Sequence, residues 1–252
     1  MLKLDSLFIG HRGTRREYDE NTIEAFEIAL KSGANYIEFD VRKTKDNEII
    51  VFHDKKVDRI TYSKGSIVEY NYSEINQIRF RRTNSRIPTL NEVIKLFKNR
   101  IGFMIELKNE SIRENVMKTV SIHNVLKNCI ISCRDLCELE YIKQHYSESS
   151  VCYNITKGKG LKLEDFIRQG KKKGLVFKPD LINLHSKRIT QEFIEVCHIN
   201  GILALSWDFI GYEDPFEVIK RLYKMGIDGV LFDDFRNITR IKSWLENINK
   251  FS

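Results

Sequence analysis

Short apolar runs alternate along the chain with segments whose apolar residues recur at intervals of three and four. The short runs are almost continuously apolar, which is typical of strands in a parallel sheet that is covered by helices. Eight runs are predicted as strands: LFIGH, YIEFDV, GFMIELK, NCIISC, SVCYNI, DLINLH, ILALSW and DGVLF. The segments predicted as helices include NTIEAFEIALKSG, TLNEVIKLFKNR, LCELEYIKQHY, TQEFIEVCHING and DPFEVIKRLYKMG.

This alternation predicts an α/β fold, a closed (β/α)8 TIM barrel, because eight βα units fit within 252 residues. An open doubly wound sheet is the alternative, but no G-x-G-x-x-G motif follows the first strand. Asn21 and Glu24 are expected to form the cap that starts the first helix. Gly33, Gly201 and Gly226 stand where helices should end.

The segment IIVFHD follows the second strand too closely to be another parallel strand, since a parallel crossover needs about a dozen residues. It is therefore predicted to return as an antiparallel hairpin. A two-residue turn would place His53 opposite Asp40, whereas a three-residue loop through Glu48 would place Asp54 there. In either register the HD pair returns to the end of the second strand.

Residues 55–88 form a small insertion after this hairpin. About thirty residues are too few for an independent domain without disulfides or a metal. We therefore expect a single domain over residues 1–252, in which the insertion forms a lid or rim beside the site.

Charged side chains lie at the ends of the predicted strands, which is where a βα barrel has its active-site face. Glu38 and Asp40 end the second strand and share a face, because strand side chains alternate. Glu106 and Lys108 share a face at the end of the next parallel strand. Three convergent carboxylates would repel one another without a cation, and an all-oxygen set suits Mg²⁺ or Ca²⁺. A divalent cation is therefore the predicted cofactor.

The motif HRG follows the first strand, with His11 and Arg12 between two glycines. An isolated HRG is compatible with a simple polar exit from the core. The hairpin changes this interpretation, because it brings His53 to the same carboxylates. Two histidines with ordinary pKa values near 6.5 can hold opposite protonation states, as acid–base catalysis requires.

Composition narrows the class of protein. Hydrophobic residues make up 42% and charged residues 31% of the chain, and the formal net charge is +7. No apolar run approaches the roughly 18 residues of a membrane span, and the first residues do not resemble a secretion signal, so we expect a cytoplasmic protein.

The positive charge is dispersed, and its one dense run, 171–174, falls at a predicted helix end. The five cysteines form no C-x-x-C pair and are expected to be buried free thiols.

The ordered set of motifs resembles the glycerophosphodiester phosphodiesterase family, whose fold is a βα barrel. The motifs are HRG, ENT, EFDV, TKD, VFHD, DRIT, IPTLNEV, IELK, LSW and DGVLFD. The resemblance implies metal-dependent hydrolysis of a small-molecule glycerophosphodiester to glycerol phosphate and an alcohol. It implies acid and base histidines at His11 and His53, and metal carboxylates at Glu38, Asp40 and Glu106. It also implies phosphate-binding cations at Arg12 and Lys108, and a tryptophan in the substrate pocket at Trp207.

Some positions depart from the family pattern. Asp19 replaces a usual proline before ENT, and Phe232 replaces a usual threonine at the end of the last strand. Asp208, Phe209 and Ile210 follow the tryptophan, where the family has threonine and a nearby asparagine. These departures leave open which alcohol the substrate carries. The sequence also leaves open whether the cation is Mg²⁺ or Ca²⁺, which histidine is the acid and which the base, and whether the nucleophile is water or a substrate hydroxyl. The oligomeric state is open as well.

Two alternatives stand beside this function. One is a related lipid phosphodiesterase such as a lysophospholipase D. The other is a non-catalytic basic barrel that binds anionic lipid or nucleic acid, but such a barrel should have lost a catalytic position and none is lost, so nucleic acid is not an expected partner. His123, His145, His185 and His198 have no acidic residue at a useful spacing and are expected to be structural or superficial.

Overall fold

In the computed structural model, which describes residues 6–108 and 111–250, eight parallel strands close into a barrel and a ninth strand lies outside it. The strands are β1 (Leu7–Gly10), β2 (Tyr36–Lys43), β3 (Ile49–Val51), β4 (Gly102–Leu107), β5 (Cys129–Cys133), β6 (Ser150–Asn154), β7 (Leu181–His185), β8 (Leu203–Trp207) and β9 (Gly229–Phe232). β1 pairs with both β2 and β9, which closes the barrel. The predicted TIM barrel is confirmed.

Helices cover the outside of the barrel, except for one short helix that lies in the insertion. Within the described residues they are α1 (Ile23–Lys31), α2 (Tyr72–Ile75), α3 (Leu90–Phe97), α4 (Arg113–Ile122), α5 (Leu136–His145), α6 (Leu163–Lys171), α7 (Gln191–Ile199), α8 (Pro215–Met225) and α9 (Phe235–Lys250). Glycines follow α1, α7 and α8 in left-handed conformations, at the predicted positions Gly33, Gly201 and Gly226. The predicted cap of α1 is wrong by one residue, because Thr22 rather than Asn21 accepts the N–H of Ala25 (3.2 Å).

The apolar core has two layers. Inside the barrel, side chains from seven strands form a small packed cluster: Ile9, Met104, Ile130, Cys152, Leu181, Leu205 and Leu231. Between barrel and helices lies the larger layer, in which Phe39 packs against Phe26 and Phe103 with ring centroids 5.6 and 6.2 Å apart. Complete burial of one such ring stabilises the fold by about 1.5–3 kcal/mol, so the barrel holds its strand ends in fixed positions.

The segment after β2 returns as the predicted antiparallel strand β3, but its register differs from both predicted alternatives. Phe52 lies opposite Asp40 and donates its backbone N–H to the Asp40 carbonyl (2.9 Å), so neither His53 nor Asp54 takes that position. The turn explains the difference: its loop has three residues, and the last of them, Asn47, adopts a left-handed φ of 66°. His53 still lies near the carboxylates, beyond the end of β3.

The insertion between β3 and α3 has a small apolar core of its own. Residues of the insertion in this core pack on Ile50 and Phe52 and are Val57, Ile67, Ile75, Ile78, Phe80 and Ile87. Asp19 ties the insertion to the loop after β1, since its buried carboxylate accepts the backbone N–H groups of Arg82 (3.1 Å) and Thr83 (2.7 Å). A proline at position 19 could not make this link, so the departure at Asp19 has a structural reason.

The cysteines are free, as predicted, but one of them is not buried. Cys129, Cys133, Cys152 and Cys197 are buried, whereas Cys137 is exposed in the first turn of α5. Among the described residues, no helix combines the length and the apolar character that a membrane span requires.

Gly13 ends the HRG loop, and we predict that Gly13→Ala destabilises the protein by at least about 2 kcal/mol. Gly13 has φ 76°, and an added Cβ would lie 2.5 Å from the backbone carbon of Ala25. Gly201→Ala is the matched control, since Gly201 has φ 71° but nothing lies within 4 Å of its added Cβ. The control should lose about 1 kcal/mol, the conformational cost alone. Equal losses in urea unfolding would contradict this account.

Candidate active site

The predicted site residues meet at the carboxyl ends of the strands, around one cavity of about 230 Å³. The predicted residues that line the cavity come from the ends of β1, β4 and β8 and from the segment after β3: His11, Arg12, His53, Glu106, Lys108 and Trp207. Glu38 and Asp40, on β2, lie buried beside them. All eight predicted residues therefore belong to a single site.

Three carboxylates form the centre of this site. Ligand oxygens of Glu38, Asp40 and Glu106 all lie within 4.8 Å of one another. Asp40 and Glu106 are direct neighbours across the β2–β4 pairing, which fixes their separation. Burial, together with the charges of Asp40 and Glu106, raises the pKa of Glu38 well above its ordinary value. The barrel therefore holds the three groups together against their repulsion.

Two cations offset part of this negative charge. Lys108 Nζ lies 2.9 Å from Asp40 Oδ1 and 2.6 Å from Glu106 Oε1, and Arg12 Nε lies 3.2 Å from Asp40 Oδ2. Burial alone would raise the pKa of Asp40, but Lys108 and Arg12 lower it far below its ordinary value. Asp40 is therefore ionised. The Arg12 backbone N–H also donates to a carboxylate oxygen of Glu38 (2.8 Å).

Asn21 is a site residue that the sequence reasoning missed, because it was expected to cap a helix. It adopts φ 61° and turns its amide toward β2. Its Nδ2 donates to Asp40 Oδ2 (2.9 Å), and its Oδ1 accepts the Asp40 backbone N–H (3.3 Å). The two bonds hold the Asp40 carboxylate from the side of the β1–α1 loop. Neighbouring Glu20 accepts from Arg12 Nη1 (2.7 Å) and so orients that guanidinium.

Each candidate histidine is bonded through Nδ1 to an aspartate. His11 Nδ1 lies 2.7 Å from Asp233 Oδ1, which follows β9, and His53 Nδ1 lies 2.7 Å from Asp54 Oδ1. Burial lowers the pKa of His11, while the Asp233 carboxylate opposes that shift. In both cases the Nδ1 bond orients the ring and leaves Nε2 for other contacts.

Asp54 belongs to a short chain of ion pairs. Its second oxygen accepts from Arg59 Nε, and Arg59 Nη2 in turn donates to Glu20. Burial would raise the pKa of Asp54, but its bonds from His53 and Arg59 lower it below its ordinary value. Through Arg59, the insertion therefore connects the His53 side of the cavity to the Arg12 side.

The carboxylate centre suits a divalent cation by its own chemistry. It offers oxygen ligands only, which hard cations prefer. A bound cation would also offset the charges of Asp40 and Glu106, which add to the effect of burial in raising the pKa of Glu38. Glu38, Asp40 and Glu106 are the residues that could hold such an ion.

Comparison with known proteins decides the family. The sequence model of the Glycerophosphoryl diester phosphodiesterase family matches residues 11–236 of the chain. The chain belongs to this family. The predicted family is thus confirmed, and the matched range begins at His11 of the HRG motif and extends past Asp233.

The chain is similar to individual proteins and solved structures over most of its length. A glycerophosphodiester phosphodiesterase of Caldanaerobacter subterraneus is 29% identical over 244 residues, which cover 92% of this chain and 95% of that protein. The crystal structure of the Thermotoga maritima glycerophosphodiester phosphodiesterase has a TM-score of 0.74 at 27% identity and covers 94% of this chain and 98% of that one. An Oleispira antarctica phosphodiesterase, solved with its product sn-glycerol-3-phosphate, shares the fold (TM-score 0.75, 22% identity, 94% and 96% covered).

Trp207 has neighbours in this phosphodiesterase fold that the sequence did not reveal. Its ring lies edge-on to His11 and to His185, with centroid distances of 6.2 and 5.1 Å. His185 Nε2 lies 3.0 Å from Asp208 Oδ2, so the expectation that His185 lacks an acidic partner is wrong. Asp208 is one of the departures from the family pattern, and it lines the cavity.

The other three histidines lie elsewhere. His198 also has an acidic partner, contrary to expectation, since its Nε2 lies 2.8 Å from Asp228 Oδ2. Asp228 precedes β9 and lies 30 residues after His198 in the sequence. His123 contacts Asn91, and His145 contacts the carbonyl of Tyr141. None of these three histidines is among the residues that line the cavity.

We predict that Asp233 makes stability depend on acid pH. Burial would raise the pKa of Asp233, but His11 and Arg15 lower it below the ordinary value of 3.8. The unfolded chain therefore binds the proton first as pH falls, so the stability from ionised Asp233 is present above about pH 4 and lost below it. The gap in unfolding free energy between wild type and Asp233→Asn should shrink between pH 6 and pH 3, measured by urea unfolding.

Glu195→Gln is the control for this measurement, since Glu195 is an exposed acid on α7. That variant should follow the wild-type pH profile. A constant gap between wild type and Asp233→Asn over the whole pH range would contradict the prediction.

Proposed function

We propose that this chain hydrolyses glycerophosphodiesters to glycerol phosphate and an alcohol, by acid–base catalysis with His11 and His53. One observation carries the proposal. Both histidines line the same cavity, and each has its Nδ1 bonded to a carboxylate, at 2.7 Å in both cases. Each Nε2 is then the atom that gives or takes a proton.

The catalytic step divides between the two histidines. A protonated imidazole donates to the leaving alkoxide, which leaves poorly without a proton at neutral pH. The other imidazole, in its neutral form, takes a proton from the nucleophile, which is water or a neighbouring hydroxyl of the glycerol. Asp233 and Asp54 hold the two rings in the orientation that this transfer needs.

Arg12 and Lys108 are the proposed phosphate-binding cations. Attack on phosphorus adds negative charge to the equatorial oxygens, and fixed cations stabilise that charge. Arginine offers a fork of N–H donors to two oxygens, whereas lysine acts as a point charge. Both groups already lie at the mouth of the barrel, held by Asp40 and by their other carboxylate partners.

Glu38, Asp40 and Glu106 would hold a divalent cation, Mg²⁺ or Ca²⁺. A cation bound there supplies Lewis acidity and neutralises charge on the phosphoryl oxygens. Without a cation, Asp40 and Glu106 instead hold Arg12 and Lys108 at the mouth of the barrel.

The cavity lining supports a small, water-soluble diester as substrate. Apart from Trp207 and Leu231, the side chains that line it are polar or charged. An acyl chain would need a larger apolar surface, which argues against the lysophospholipase D alternative. The meeting of all eight predicted residues at one cavity argues against a barrel that only binds anionic ligands. The insertion is proposed to form a rim beside the site within a single domain, since its Arg59 donates to Asp54 and to Glu20.

Metal dependence is the first test of the function. Excess EDTA should abolish hydrolysis of glycerophosphoglycerol, and Mg²⁺ or Ca²⁺ should restore it, because the three carboxylates supply only oxygen ligands. Glu106→Gln should need a higher metal concentration for half-maximal activity, while Glu195→Gln should behave as wild type. Full activity in EDTA, with no metal found by elemental analysis, would refute the metal site.

His11→Ala is the second test. Turnover should fall by about 10²- to 10⁴-fold, the usual contribution of general acid–base catalysis, while KM changes much less. His123→Ala removes a half-buried histidine that contacts Asn91 outside the cavity and should retain wild-type turnover. Circular dichroism must show that both variants are folded. Near-normal turnover of His11→Ala on the best substrate would leave His53 alone in the acid–base role and sink the two-histidine mechanism.

A further inference from the structure

We propose that the preferred substrate carries a second anion, a phosphate or a carboxylate, on the alcohol that is released, and that Arg134 and Lys157 bind this anion. The inference rests on the proposed phosphodiesterase function and adds a substrate class to it. A cationic alcohol such as choline would then be a poor leaving group for this site.

The position of the two side chains is the first argument. Arg134 directly follows β5, and Lys157 ends the short 3-10 turn after β6. Both line the same cavity as His11 and His53. Because β4, β5 and β6 are neighbours in the barrel, the two cations lie next along its rim from Glu106 and Lys108.

The pairing of the cavity cations is the second argument. Arg12 is paired with Glu20 and Asp40, and Lys108 with Asp40 and Glu106. Arg15 Nη1 lies 3.0 Å from Asp233 Oδ1.

By contrast, the side chains of Arg134 and Lys157 make no hydrogen bond or ion pair within the described parts of the chain. Asp208, a carboxylate that also lines the cavity, lies after β8 and is bonded to His185. Within the part of the chain that the structure describes, the β5–β6 side of the cavity therefore carries two positive charges with no acidic partner. Such a surface attracts an anion and repels a cation.

Two buried asparagines in the cavity provide the third argument. Asn154 and Asn183 line the cavity and are buried, and Asn183 Nδ2 donates to Asn154 Oδ1 (3.3 Å). The Asn183 Oδ1 atom is buried without a hydrogen-bond partner among the described residues. Buried polar atoms rarely lack a partner, so a ligand hydroxyl is a fitting donor here. A hydroxylated alcohol that ends in an anion matches both the buried asparagines and the two cations.

The test compares three substrates with one carbon skeleton. The alcohol that is released is uncharged in glycerophosphoglycerol. It carries a carboxylate in glycerophosphoglycerate and a phosphate in glycerophosphoglycerol phosphate. We expect kcat/KM to be about tenfold higher for at least one anionic substrate than for the neutral one, the effect of one charge-assisted hydrogen bond. The carboxylate and phosphate arms show which anion the site prefers. Glycerophosphocholine should be the poorest substrate.

Variants then assign the preference to the two cations. In Arg134→Gln and in Lys157→Gln, the ratio of kcat/KM for the preferred anionic substrate to that for glycerophosphoglycerol should fall by about tenfold, mainly through KM. Lys172→Gln is the matched control, because Lys172 is an exposed lysine just after α6 and does not line the cavity. The control should keep the wild-type ratio.

Two results would overturn the inference. One is equal or better hydrolysis of the neutral or choline substrate by the wild type. The other is an equal loss on all substrates in both variants, which would mean that the cations act on the scissile phosphate. Both results are seen only if some diester is hydrolysed, whereas hydrolysis of none of them, with metal present, would instead reject the proposed function itself.

Discussion

Three carboxylates held within 4.8 Å of one another at the mouth of the barrel form the constraint on which the rest of the site depends. Burial and mutual repulsion make this arrangement unfavourable, as the raised pKa of Glu38 reflects. The β2–β4 pairing and the packed barrel hold the groups together. Lys108 and Arg12 reduce the repulsion. In the proposed function, the same two cations bind the phosphate, so charge balance and phosphate recognition would use the same side chains.

Three further acidic residues orient the side chains around the carboxylate centre. Glu20 orients Arg12, while Asp233 and Asp54 orient the two histidines. These residues come from three different loops, and Arg59 of the insertion bonds to two of them. The insertion thus helps to order the site through Arg59. Among the described residues, the cavity cations that lack an acidic partner are Arg134 and Lys157, and they lie on the β5–β6 side, away from this network.

Local pattern was sufficient to predict the barrel, the hairpin and the convergence of charged strand ends, because strand ends in a βα barrel meet at one face. Trp207 and the roles of the site residues came from the family resemblance instead. The hairpin register could not be predicted, since it depends on the left-handed conformation of Asn47, which no apolar pattern specifies. The partner of His11 was missed because Asp233 is 222 residues away. Asn21 was assigned to a helix cap on local grounds, whereas its bonds to Asp40 are tertiary. Spatial partners of this kind leave no local signal in one sequence.

The most direct test of this account is anomalous diffraction from crystals grown with Mn²⁺, a heavier stand-in for Mg²⁺ that takes the same oxygen ligands. The account predicts one anomalous peak in contact with Glu38, Asp40 and Glu106, and a Lys108 ammonium that no longer bridges Asp40 and Glu106. A map without a peak at these carboxylates at saturating Mn²⁺, with the Lys108 bridge intact, would contradict the claim that the carboxylate centre is a metal site.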